Sequence, residues 1–156
     1  MPRRKEVLRR SPPPDWKFES KLVSKFINGM MVQGKKSIAE RIFYKAMELI
    51  EDSAKQEPFP VFEKAMKNVG PAVTVRSRRV GGSVYQVPSE VGQYQQRAIA
   101  IRWLLLAARE RSENTMVERL ANELIAASKG EGAAIRRKEE TYRMAEANRA
   151  FAHYRW

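Results

Sequence analysis

Cysteine is absent from the chain, which excludes disulfides and thiolate metal sites. Histidine occurs once, at His153, among aromatics with no partner in view. It reads as a structural or stacking side chain, and no metal site is expected. Aspartate occurs only at Asp15 and Asp52. Metal-assisted phosphoryl chemistry needs clustered carboxylates. Glu139 and Glu140 sit adjacent on a helix and diverge, so they read as ion-pair partners for Arg143. No P-loop, H-E-x-x-H or G-x-S-x-G pattern is present. No apolar run of about eighteen residues exists, so no membrane span is expected. The opening MPRRKEVLRRSPPP lacks the apolar segment of a secretory signal. These absences point away from an enzyme and from any cofactor or small-molecule substrate.

What is present is positive charge. The chain of 156 residues carries a formal net charge of +12. Such an excess implies a polyanionic partner, with nucleic acid first among them. Arginine is commoner than lysine, which favours bidentate phosphate contact and stacking on bases. The hydrophobic fraction of 43% supports one domain with a real core.

The stretch Pro71–Pro88, PAVTVRSRRVGGSVYQVP, reads as a β-hairpin in a helical chain. Gly81-Gly82 suits a two-residue type I′ turn, which needs φ > 0 at both positions. Counting outward pairs Val80 with Ser83, Arg79 with Val84, Arg78 with Tyr85 and Arg76 with Val87. Arg76, Arg78 and Tyr85 then share one face and Arg79 takes the other. With arginine on both faces, the tip is expected to project into something anionic.

Residues 1–14 read as a flexible basic arm carrying Arg3, Arg4, Lys5, Arg9 and Arg10. From Ser20, Leu22, Val23, Phe26, Ile27 and Met30 mark a first helix that Gly34 should stop. Lys35-Lys36 form a basic joint. Ser37 and Glu40 then resemble a capping box opening a second helix to about Ser53, with Ile38, Ile42, Phe43, Ala46, Leu49 and Ile50 inward. Pro60 should start a third helix, buried through Val61, Phe62, Ala65, Met66 and Val69 and ended by Gly70-Pro71. After the hairpin, residues 92–111 read as the longest helix. Its segment AIAIRWLLLAA is apolar nearly all round and is expected at the buried centre. Arg102 interrupts it, either snorkelling to the surface or touching RNA. Arg109 and Arg111 suit the C-terminal dipole. A capping box at Thr115 and Glu118 opens a fifth helix that Gly130 ends. Residues 133–150 read as a sixth, with a basic start at Arg136, Arg137 and Lys138. The fold expected is mainly α: a single-domain bundle of six helices over 15–156, with one β-hairpin (72–88) between helices three and four.

Several segments together resemble a known family. RSRRVGGSVYQVP, AIAIRWLLLAAR, ERLANELIAASKG and KEETYRMAEANRAFAHYRW, in this order, are similar to ribosomal protein seven of the small subunit, bacterial or plastid type. LVSKFINGMMVQGKKSIAERIFYKAM resembles that family's first two helices. The chain departs at Trp16, where the family usually has proline in a D-P-x-Y segment, and at Gly70 and Thr74, where lysine and an acid are common. The resemblance implies a structural protein that binds the 3′ (head) domain of small-subunit 16S rRNA and starts head assembly. It implies a hairpin near exit-site tRNA and mRNA, neighbours in small-subunit proteins nine and eleven, and repression of the protein's own messenger in many members. The compartment implied is bacterial cytoplasm or plastid stroma. Carried over by position, rRNA contacts fall on Arg3, Arg4, Lys5, Arg9, Arg10, Lys35, Lys36, Arg76, Arg78, Arg79, Arg102, Arg109, Arg111, Arg136, Arg137 and Lys138. The tip facing tRNA or mRNA comprises Arg79, Val80, Gly81, Gly82, Ser83 and Tyr85. The rival from the residues alone is an architectural DNA-binding protein with a β-ribbon arm. Its usual apolar or proline wedge is missing from this Gly-Gly tip.

Overall fold

A computed structural model describes residues 11–154. Six α-helices and one two-stranded antiparallel ribbon occur among them, with the ribbon between the third and fourth helices. The helices are α1 (Lys21–Met30), α2 (Lys36–Ala54), α3 (Pro58–Val69), α4 (Gln93–Glu110), α5 (Met116–Lys129) and α6 (Ala133–Ala147). The strands are β1 (Val73–Val80) and β2 (Ser83–Glu90), and a 3-10 helix, Arg149–Tyr154, follows α6. The mainly helical fold with an inserted hairpin is as the sequence predicts.

Phenylalanines from three helices lock the core. Phe26 of α1, Phe43 of α2 and Phe62 of α3 are fully buried, with ring centroids 5.3–5.6 Å apart. The Phe26–Phe62 and Phe43–Phe62 pairs meet edge to face, where the positive ring edge faces the negative ring centre. α3 buries the five residues expected of it. α5 packs on α2, α3, α4 and α6 through Leu120, Ala121, Leu124 and Ala127.

Local expectations for four of the helices need correction. α1 ends at Met30, and Gly34 lies beyond it in a turn where Gln33 and Gly34 both take positive φ. Met31 turns away from the helix yet still packs on the core, so burial rather than glycine sets the helix end. Ser37 and Glu40 form no capping box: α2 already starts at Lys36, and Glu40 pairs with Lys36 at 3.5 Å. Its buried face is Ala39, Phe43, Ala46, Met47 and Ile50, leaving Ile38 exposed. α3 starts at Pro58, two residues before Pro60. α4 is not buried all round, because Gln95, Ala98, Arg102 and Leu106 form a stripe open to solvent. Small residues on its other side, Ala100, Ala107 and Ala108, let neighbouring helices approach closely. Likewise the exposed Gly29 of α1 faces Ile101, where a Cβ would lie 2.9 Å from that side chain.

Asp15 is the first firm anchor of the chain. Its buried carboxylate accepts the N–H groups of Lys17 and Phe18, both at 3.1 Å, and the Tyr44 hydroxyl at 2.6 Å. Burial, and then the Asp15 carboxylate, push the Tyr44 phenol above its ordinary range. Replacing Asp15 with Ala removes the acceptor from all three donors. Hydrogen bonds to charged groups contribute about 1.5–3 kcal/mol each at most. The expected loss is therefore roughly 2 kcal/mol or more in urea unfolding. A change under a few tenths would show that the turn holds without its carboxylate.

Candidate nucleic-acid interface

The ribbon pairs in the register counted from the sequence: Val80 with Ser83, Arg79 with Val84, Arg78 with Tyr85 and Arg76 with Val87. Gly81 and Gly82 take φ of 57° and 90°, as a type I′ turn requires. The strands run past Pro88 to Glu90. Pro88 faces Val75, and alternation outward from the turn makes that a pair without ladder hydrogen bonds. Its missing N–H therefore leaves the ladder intact.

One ribbon face is covered more than expected. Tyr85 packs against Phe151 of the 3-10 helix, with centroids 4.9 Å apart and ring planes tilted by 46°, and Val87 is buried at the base. Arg78, opposite Tyr85, is half-buried. Tyr85 thus lies turned toward the protein, apart from the turn residues grouped with it. The aromatic and the valine on that face supply the burial that the arginine count concealed. Arg76 and Arg79 stay exposed, and Arg76 donates to the Gln95 side chain at 3.4 Å. At the base, the Tyr142 hydroxyl of α6 accepts the Ala72 N–H at 2.8 Å.

α4 links the other basic groups. Its first turn meets the ribbon through Arg76–Gln95 and meets α1 through Lys25, whose ammonium lies 4.7 Å from the Tyr94 ring centre. Arg102 and Arg109 are exposed, seven residues apart, hence about 10 Å along the axis. Arg109 donates to the Met30 carbonyl at 3.4 Å, so the end of α4 stands beside the end of α1 and its Lys35-Lys36 joint. Both lysines are exposed. Arg136 is exposed at the start of α6. Ribbon, α4, the α1–α2 joint and the α6 start therefore assemble cations that range from Lys35 to Arg136 in the chain.

Three of the arginines and lysines grouped with these hold the fold together instead. Arg111 donates to Glu113 and Glu123, each at 2.9 Å, and the Glu123 carboxylate is fully buried. Arg137 pairs with Glu110. Lys138 donates to the Asn68 carbonyl at 2.6 Å, with Tyr142 beside it at 5.6 Å. Glu123 also accepts the Ala134 N–H at 3.0 Å, so it serves the N-terminus of α6 as well. Among the described residues no ion pair joins Arg143 to Glu139 or Glu140. Arg3, Arg4, Lys5, Arg9 and Arg10 lie outside the described residues.

Lys25 and Tyr94 are not among the residues expected from the sequence, and Trp16 stands out there only as a departure from the family's pattern. A signal existed for Tyr94: an aromatic in the polar opening QYQQR of a helix has no core to enter. A signal existed for Glu123 also, as the one acid inside LANELIAA. Among the described residues no cluster of His, Cys, Asp and Glu could hold a metal, and no helix is long and apolar enough to cross a membrane.

A helical bundle that sets exposed cations around one helix and a ribbon, while its buried acids Asp15 and Glu123 are engaged within the fold, defines a structural RNA-binding protein. The family model for ribosomal protein S7p/S5e matches residues 2–149. The chain belongs to that family, whose members are structural parts of the small ribosomal subunit rather than enzymes. It is 56% identical to small ribosomal subunit protein uS7 of Magnetococcus marinus over 156 residues, the whole of both chains. It is 54% identical to the uS7 proteins of Syntrophobacter fumaroxidans and Gemmatimonas aurantiaca, again over the whole of both.

Proposed function

We propose that this protein binds the 3′ domain of small-subunit rRNA directly and starts assembly of the subunit head. The observation that carries this reading is the gathering of Lys35, Lys36, Arg76, Arg79, Arg102, Arg109 and Arg136 around α4 and the ribbon, all exposed. Phosphates bridged by such a set come from a folded RNA, whose backbone turns to meet separate elements. The arm of residues 1–14 adds further phosphate contacts beside the 15–156 domain. The ribbon tip, with the small Gly81-Gly82 turn, lies next to exit-site tRNA and mRNA. Proteins nine and eleven of the small subunit are its neighbours, and its own messenger is a second RNA target. The compartment is bacterial cytoplasm or plastid stroma. Footprinting on small-subunit rRNA and on duplex DNA of equal length separates this reading from an architectural DNA-binding role. Protection confined to the 3′ domain, with weak and uniform protection of DNA, is the expected result. Equal protection of the duplex would overturn it.

A further inference from the structure

Trp16 stands 76% exposed although the chain beside it enters the core. The Asp15 turn sorts the two aromatics. Phe18 turns inward and stacks on Phe59, with centroids 5.5 Å apart and planes 13° from parallel. Trp16 turns outward and is steadied by Tyr44, 5.6 Å away with ring planes at 68°. The indole is therefore held in place while most of its surface faces water. Its neighbours are cationic at their tips. Lys17 follows it and reaches Glu48 only at 4.0 Å. Lys36 lines the same groove as Trp16, together with Pro12, Pro14 and Asn28, and holds Glu40 at 3.5 Å across an exposed side chain. The Asp15 carboxylate, also in that groove, is already engaged by three protein donors.

The geometry points to a stacking platform: Trp16 receives one unpaired RNA base on its indole, and Lys17 and Lys36 hold the flanking phosphates. This rests on the rRNA reading above. A fixed aromatic with cations close by is what single-stranded RNA requires, since every base has a π-face and every step a phosphate. The turn is built before binding, so little ordering is left to oppose the contact. A second protein is the weaker occupant, because lysines are depleted from the cores of protein interfaces.

The test uses the full chain with 3′-domain rRNA and with an unstructured single-stranded RNA. Trp16→Ala should weaken 3′-domain binding about 5- to 150-fold, the range of one base–aromatic stack. The salt dependence should stay as in the wild type and the melting temperature should change little, because no charge is lost and Trp16 is mostly exposed, touching the half-buried Tyr44 ring. Trp16→Phe should recover most of the affinity. Both RNAs should quench part of the wild-type tryptophan emission, and that part should be absent from Trp16→Ala. Binding by Trp16→Ala within twofold of wild type, or emission unaffected by either RNA, overturns the platform. So does a loss that Trp16→Phe does not recover and that comes with a lower melting temperature, which is the mark of a structural role. Failure of the wild type to prefer the 3′ domain over duplex DNA overturns the rRNA reading instead, and quenching by the single-stranded RNA then still decides the platform.

Discussion

Replacing Glu123 with Ala is expected to lower the stability of the protein by about 3–5 kcal/mol, the usual effect of removing one partner from a buried ion pair. The carboxylate is fully buried, with Arg111 on one oxygen and the Ala134 N–H on the other. Without it the half-buried guanidinium loses its inner partner and α6 loses an acceptor at its N-terminus. For a chain of this size the melting temperature should fall by roughly 10 °C. Gln at position 123 keeps the shape and one acceptor, so its effect should be about half as large. Removing Glu123 and Arg111 together should cost less than the two single changes added, since the pair leaves as a unit. Gly132 belongs to the same device. It sits at φ 98°, and a Cβ there would come within 2.8 Å of a Glu123 carboxylate oxygen. Chemical denaturation of the variants and of the double variant checks all of this. A Glu123→Ala protein as stable as the wild type would mean that the site collapses without penalty.

Acid should act on the neighbouring carboxylate. Glu113 is held below the ordinary range by its own backbone N–H, then by the Asn122 amide and by Arg111. A depressed carboxylate contributes stability that is fully present above its unfolded value of 4.5 and is lost as pH falls through the folded one. The wild type should therefore lose stability on acidification below about pH 4.5, and Glu113→Gln should lose less. Identical acid profiles would remove Glu113 from the account.

Affinity for 3′-domain rRNA is expected to fall at least 10³-fold between about 50 and 200 mM salt. Seven of the exposed cations lie on or beside α4 and the ribbon: Lys35, Lys36, Arg76, Arg79, Arg102, Arg109 and Arg136. Each phosphate neutralised releases counterions and adds about 0.7–0.9 to the slope of log K against log salt. Changing Arg76 and Arg79 to Gln should lower that slope by roughly two and leave the melting temperature unchanged. Arg111→Gln should do the reverse, lowering stability with little change in slope, because Glu113 and Glu123 occupy its guanidinium. A flat salt dependence in the wild type would reject the electrostatic account. A slope unaffected by the ribbon arginines would place the RNA elsewhere on the bundle.

Periodicity and turn chemistry determined much of this protein by themselves. The six helices follow from apolar residues at helical spacing, because a helix must bury one face. The ribbon register follows from Gly81-Gly82, since a two-residue turn leaves one way to count outward. The positive charge follows from composition. Tertiary structure decided which cations are free and which are held. Arg109 and Arg111 look alike in the sequence, yet only the second meets a buried carboxylate, supplied by a helix that begins later in the chain. Tyr85 reads as part of an exposed tip until the 3-10 helix brings Phe151 against it. Trp16 and Phe18 read alike until Asp15 turns one outward and the other in. Local pattern is set by neighbours a few residues away, whereas the partner of a charge or a ring is set by which helices pack together. No spacing within one segment contains that information.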